Sequence, residues 1–189
     1  RVTPEFFGVQ DDSTGLDLSG AWGTARIWAA WCTVQPAAET DPNVGVAARL
    51  DWRYRTYAEA EASRLYVSLG HPPGWVFADH PLASAPNDAI WYCDESVANT
   101  LFPTVATLSS GPVRERYIAY VRAVLEAAEP YLAANRRNTV VLQAWNEPNL
   151  DNGGSVASEI PGAARTWTQA AASLQKQERI MRRVAKELI

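Results

Sequence analysis

The chain has 189 residues, 47% of them apolar and 20% charged, which suffices for one sizeable core and is the composition of an ordinary soluble globular domain rather than a disordered one. Its 21 acidic residues outnumber 17 Lys and Arg, for a net charge of −4, and no basic stripe is present to neutralise a phosphate backbone, so nucleic acid is not an expected partner. No apolar run reaches the roughly 20 residues of a membrane span, and no charged-then-apolar leader opens the sequence, so a soluble, already processed chain with no membrane partner is expected.

The first apolar run, Phe6-Phe-Gly-Val9, stops at the polar cluster of residues 10–15 and reads as a buried strand feeding a loop. A short, weakly periodic segment over residues 16–22 follows. Strand composition resumes in Thr24-Ala-Arg-Ile-Trp28, which carries one charge, Arg26, among apolar neighbours. Over residues 47–64, Leu50, Tyr54, Tyr57, Ala58 and Ala62 recur at the spacing of an amphipathic helix. Leu65-Tyr-Val-Ser-Leu69, closed by Gly70 and the breakers Pro72, Pro73 and Gly74, is a third buried strand.

A long irregular loop over residues 71–113 comes next and holds His71, Trp75, Phe77, His80, Trp91, Tyr92 and Cys93. A loop of that length in a compact domain is generally functional, and it is expected to form part of a site. Tyr117, Ile118, Val121, Val124, Leu125, Ala128 and Leu132 make the cleanest helical stripe, with Pro130 expected to bend or end it. The fourth strand is Thr139-Val-Val-Leu-Gln-Ala-Trp145. A final helix over residues 167–189 places Trp167, Ala171, Leu174, Met181, Val184 and Leu188 on one face.

Short apolar strands alternating with helices predict an α/β fold with a parallel sheet. An open doubly wound sheet would announce itself by a glycine-rich phosphate turn after its first strand, and residues 8–15 lack that spacing. The residues of unusual chemistry, Arg26, His71, Asn146 and Glu147, each fall at the end of a predicted strand, where barrel enzymes place their sites. The expectation is therefore a (β/α)8 TIM barrel of which this chain, residues 1–189, carries the first four βα units. Cys32 and Cys93 lack the spacing and His neighbours of a zinc site, so no metal is expected. They remain open to being buried thiols or, as loop residues at one end of such a barrel, a disulfide. A disulfide would imply a secreted or extracytoplasmic setting, and the alanine-rich, arginine-rich composition suits a bacterial source.

The chemistry is concentrated in Gln143-Ala-Trp-Asn-Glu-Pro-Asn149. Glycoside hydrolysis needs a carboxyl group that protonates the leaving oxygen and a second one that attacks the anomeric carbon or activates water. Glu147 suits the first role, Asn146 can donate to a sugar hydroxyl, and Pro148 fixes the backbone beyond them. Residues 141–150, Val-Leu-Gln-Ala-Trp-Asn-Glu-Pro-Asn-Leu, closely resemble the fourth-strand motif of clan A glycoside hydrolases, nearest to the xylosidase and iduronidase type and to the cellulase-like families. That resemblance implies a retaining glycosidase without a cofactor, in which Glu147 is the general acid/base and Asn146 binds the substrate 2-hydroxyl.

Further upstream, Ala25-Arg-Ile-Trp28 with Trp31 looks like the clan's second strand, where arginine supports the nucleophile; Arg26 either inherits that role or pairs with a structural carboxylate. Leu69-Gly-His-Pro-Pro-Gly-Trp75 is similar to the third-strand end that shapes the sugar subsite. His71 then touches a sugar hydroxyl or bonds to backbone, and Trp75 and Trp31 either contact substrate or pack. The resemblance covers only the first half of the family's barrel. The nucleophilic Glu belongs to the seventh strand and is expected in a longer form of the protein or in a second chain that supplies the C-terminal half. An inverting partner among Asp79, Asp94 and Glu95 is the weaker possibility. The alternative to an enzyme is a non-catalytic carbohydrate-binding or half-barrel module that associates with a second chain.

Overall fold

The computed structural model describes residues 8–10, 24–36, 42–59, 64–70, 72–77, 103–133, 139–144 and 167–188. In chain order these form β1 (Gly8–Gln10), β2 (Thr24–Trp28), α1 (Trp31–Val34), α2 (Pro42–Glu59), β3 (Arg64–Ser68), a 3-10 turn (Gly74–Val76), α3 (Pro112–Ala133), β4 (Thr139–Gln143) and α4 (Trp167–Leu188). The strands make one sheet in the order β1-β2-β3-β4, with each neighbouring pair parallel.

The parallel sheet is as the sequence suggests, but four βα units of a TIM barrel are not what is found. Among the described residues, helices follow β2, β3 and β4 only. Among the described residues β1 has three residues and meets β2 through Gly8–Thr24, Val9–Ala25 and Gln10–Arg26. The link between these strands, residues 11–23, lies outside the described residues. The described sheet is small and open, with β1 and β4 as its outer strands.

Register divides the sheet into two faces. Side chains alternate along a strand, and the pairings Ala25–Leu65–Val140 and Ile27–Val67–Leu142 put the apolar residues of three strands in rows. Ala25, Ile27 and Val67 are fully buried, and Leu65, Val140 and Leu142 pack against the same core. That core is completed by Val46, Leu50 and Tyr54 of α2, by Val113, Tyr117, Tyr120, Val121, Val124 and Ala128 of α3, and by Ile180, Met181 and Val184 of α4. The alternate residues, among them Arg26, Tyr66, Ser68 and Gln143, form the opposite row and take no part in this cluster.

The helices obey local rules. Pro112 occupies the first position of α3, where its missing N–H costs nothing, and Glu115 sits in the first turn near the positive end of the helix dipole. Gly111, just before it, has φ +88°, which a side chain would strain. Pro130, expected to bend or end the helix, lies inside its last turn, and α3 stops three residues later. In α4 the buried face differs from the predicted stripe. Ala170, Ser173, Gln177, Ile180, Met181 and Val184 are buried, whereas Ala171 is exposed and Leu188 is 40% exposed. Two polar residues tolerate that burial because Gln177 Nε2 donates to Ser173 Oγ at 3.0 Å one turn away. None of the described helices is long and apolar enough to cross a membrane.

Candidate functional site

The polar row of the sheet carries a closed hydrogen-bond cluster across three strands. Arg26 of β2 donates through Nε to Ser68 Oγ of β3 at 2.9 Å and through Nη2 to Gln143 Oε1 of β4 at 3.1 Å. Ser68 Oγ donates in turn to the same Gln143 oxygen at 3.1 Å. The cluster forms because register aligns Ser68 with Gln143 and sets Arg26 one pleat back on the same face, from which a long guanidinium spans both neighbours. Ser68 is fully buried, while Arg26 and Gln143 are half-buried.

Backbone bonds continue the ladder past the strand ends and lock these positions. Leu69 N donates to Gln143 O at 2.8 Å, Ala29 N to Ser68 O at 2.9 Å and Trp31 N to Gly70 O at 2.9 Å. Gly70 has φ +104°, so the turn that presents its carbonyl to Trp31 favours glycine. Three strand ends are thus tied together at the level where Gln143 leads into Asn146 and Glu147, three and four residues on.

Of the residues expected in a site, Arg26 belongs to this cluster, and its described side-chain bonds go to neutral groups. Trp31 does not join it. Its ring is 1% exposed, stacked on Tyr120 with centroids 4.6 Å apart and planes 5° from parallel, and its Nε1 donates to Gln35 Oε1 at 2.7 Å. Of its two readings, platform and packing, Trp31 takes packing: neither face of a sealed ring can receive a sugar. Trp75 is half-buried and meets Trp31 edge-on at 6.0 Å; its Nε1 donates to Gln35 O at 3.2 Å. Arg116 of α3 lies over the Trp75 ring at 5.7 Å and donates to Val76 O at 2.6 Å, so the 3-10 turn is clasped to α3 and Trp75 roofs the core.

Around Trp31, burial pushes the hydroxyls of Tyr54, Tyr117 and Tyr120 far above the usual tyrosine range, so all three stay neutral. Tyr120 Oη donates to Ala29 O and Tyr54 Oη to Val124 O at 3.0 Å, whereas Tyr117 Oη is buried without a partner among the described residues. Cys32 is 2% exposed beside Ala30 and Trp28, and among the described residues no cysteine is free. Glu147, Asn146, His71 and Cys93 lie outside the described residues, as do Asp79, Asp94 and Glu95. No group of three His, Cys, Asp or Glu able to hold a metal occurs among the described residues.

Sequence reading passed over Ser68, Gln143 and Gln35. The signal for the first two was present, as a hydroxyl and an amide near the ends of otherwise apolar strands. Their partnership with Arg26 depends on register, which a strand's own composition does not specify. Comparison with known proteins adds no relative: no family model, no curated protein and no solved structure matches this chain.

Proposed function

We propose that this protein is a glycoside hydrolase in which Glu147 is the general acid/base and Asn146 binds the sugar hydroxyl beside the reacting carbon. The observation that supports the reading is the cluster of Arg26, Ser68 and Gln143, which holds three parallel strand ends rigidly just before the Trp-Asn-Glu-Pro run. Acid/base catalysis depends on such fixed placement. The reaction is a retaining double displacement. Glu147 gives its proton to the leaving glycosidic oxygen while a second carboxylate attacks the anomeric carbon; Glu147 then takes a proton from the water that releases the sugar. The second carboxylate stands about 5–5.5 Å from the first in a retaining site.

A bridge between Cys32 and Cys93, and with it an oxidising, extracytoplasmic location, belongs to the same proposal. The lack of a free cysteine among the described residues supports it.

The test uses the full product of the gene and aryl glycosides of graded leaving-group acidity. Glu147→Gln is expected to lose about 10²- to 10⁴-fold in rate on poor leaving groups and far less on activated ones that need no proton. Azide should rescue the second step. A variant with wild-type rates over the whole series would remove the acid/base assignment and favour a carbohydrate-binding module.

A further inference from the structure

We propose that Gln143 is a substrate-binding residue: its side-chain N–H group, oriented by Arg26 and Ser68, donates to a hydroxyl oxygen of the glycoside. The inference rests on the glycosidase reading and adds a contact that the Trp-Asn-Glu-Pro motif does not specify.

The direction of the hydrogen bonds carries the argument. A glutamine amide presents an acceptor on one side and two donors on the other. Which side faces Arg26 is settled by chemistry, because a guanidinium can only donate, so the atom 3.1 Å from Nη2 is the oxygen. Ser68 reinforces the choice. Its Oγ accepts from Arg26 Nε at 2.9 Å, which leaves its one proton for Gln143 Oε1 at 3.1 Å. Two donors therefore converge on Oε1, and flipping the amide would set N–H groups against both.

The backbone is fixed as well, since Gln143 O accepts from Leu69 N at 2.8 Å. With carbonyl and Oε1 both engaged, the unspent capacity of the side chain is Nε2. Among the described residues nothing accepts from it. The residue is half-buried rather than sealed and stands on the sheet face that takes no part in the core, at the strand end three residues before Asn146. A rigid amide donor so placed suits a neutral acceptor oxygen, and a sugar hydroxyl oxygen is one. Burying the donor without such an acceptor would carry a desolvation penalty, so the contact selects for substrates bearing a hydroxyl there.

Gln143→Glu separates the donor from the clamp. A carboxylate still accepts from Arg26 and Ser68 but offers an oxygen where Nε2 stood. Glycoside affinity, measured by calorimetry in the non-hydrolysing Glu147→Gln background, should fall roughly tenfold or more, the equivalent of losing one hydrogen bond of about 1.4 kcal/mol. Ser68→Ala keeps the donor and loosens its holder, so affinity should fall only about two- to fivefold. In the wild-type protein, the Gln143 side-chain amide resonances should shift on glycoside titration, a readout that needs no variant to fold. Unchanged affinity in Gln143→Glu, or unmoved amide resonances, overturns the proposal. If Glu147→Gln abolishes turnover while Gln143→Glu binds as before, this inference fails alone; if Glu147→Gln turns over normally, the glycosidase reading fails with it.

Discussion

The two faces of the sheet are built from the same strands and solve opposite problems. On one, Ala25, Ile27, Leu65, Val67, Val140 and Leu142 meet three helices and an aromatic hub around Trp31, with no ionised side chain in the cluster. On the other, one residue along in each strand, Arg26, Ser68 and Gln143 are joined by directed hydrogen bonds. The first face should answer to mutation through stability, because its energy lies in apolar area and close packing. The second should answer through ligand binding, because net hydrogen-bond energies are small while their directions are exacting. The affinity loss expected of Gln143→Glu, with little change in thermal midpoint, is the polar-face half of that contrast.

The largest effect should come from the hub. Trp31 is sealed, stacked on Tyr120, 5.9 Å from Tyr117 and 6.0 Å from Trp75. Trp31→Ala removes an indole whose surroundings come from α1, α3 and the 3-10 turn, and these cannot collapse together into the space. A loss of about 3–5 kcal/mol is expected, read from urea denaturation. A loss under about 1 kcal/mol would mean that the hub is looser than its geometry implies and would erase the distinction between the faces.

A smaller and sharper test lies within the hub. Tyr120 and Tyr117 are both buried on α3, but Tyr120 Oη donates to Ala29 O and Tyr117 Oη has no partner among the described residues. Tyr120→Phe orphans a buried carbonyl and should cost about 1–2 kcal/mol. Tyr117→Phe removes a hydroxyl that was desolvated for no return, and should be neutral or stabilising. Equal losses in the two variants would show that ring packing, not hydroxyl satisfaction, sets the energetics of this face.

How far these features were legible depended on whether the signal was local. β2 is found where its composition predicted it, over Thr24–Trp28, and β3 is displaced by one residue to Arg64–Ser68, because β-branched and aromatic runs between breakers are local signals. Helix α2, Pro42–Glu59, starts earlier than its apolar stripe suggests. Four-residue α1 was invisible, since one turn has no period to detect. The barrel expectation failed for a related reason. Alternating strands and helices announce a parallel sheet, but no local pattern states whether every strand is followed by a helix or whether the sheet closes. The Arg26 cluster was half legible: the lone charge in a buried strand was conspicuous, while Ser68 and Gln143 acquire meaning only once three strands are in register.

The smallest effect belongs to neither face, and it calibrates the other two. On the outer side of α2, Asp51 accepts from Tyr131 Oη of α3 and pairs with Arg55 one turn along, with about half of its side chain exposed. The Tyr131 hydroxyl foremost, and then the Arg55 guanidinium, hold the Asp51 carboxyl below its ordinary value of 3.8. A folded-state pKa below the unfolded one means that the carboxylate contributes stability above pH 3.8 and loses it as the pH falls through the lower folded value. Asp51→Asn should therefore be less stable than wild type at neutral pH, and the gap in urea midpoint should close as the pH drops below that value. Salt should shrink the Arg55 share and leave the Tyr131 share, because the first is a screened surface pair and the second a directed hydrogen bond. A gap that stays constant down to pH 2 would assign the effect of Asp51→Asn to helix propensity instead of charge, and would leave hydrogen-bond direction as a property of the polar sheet face alone.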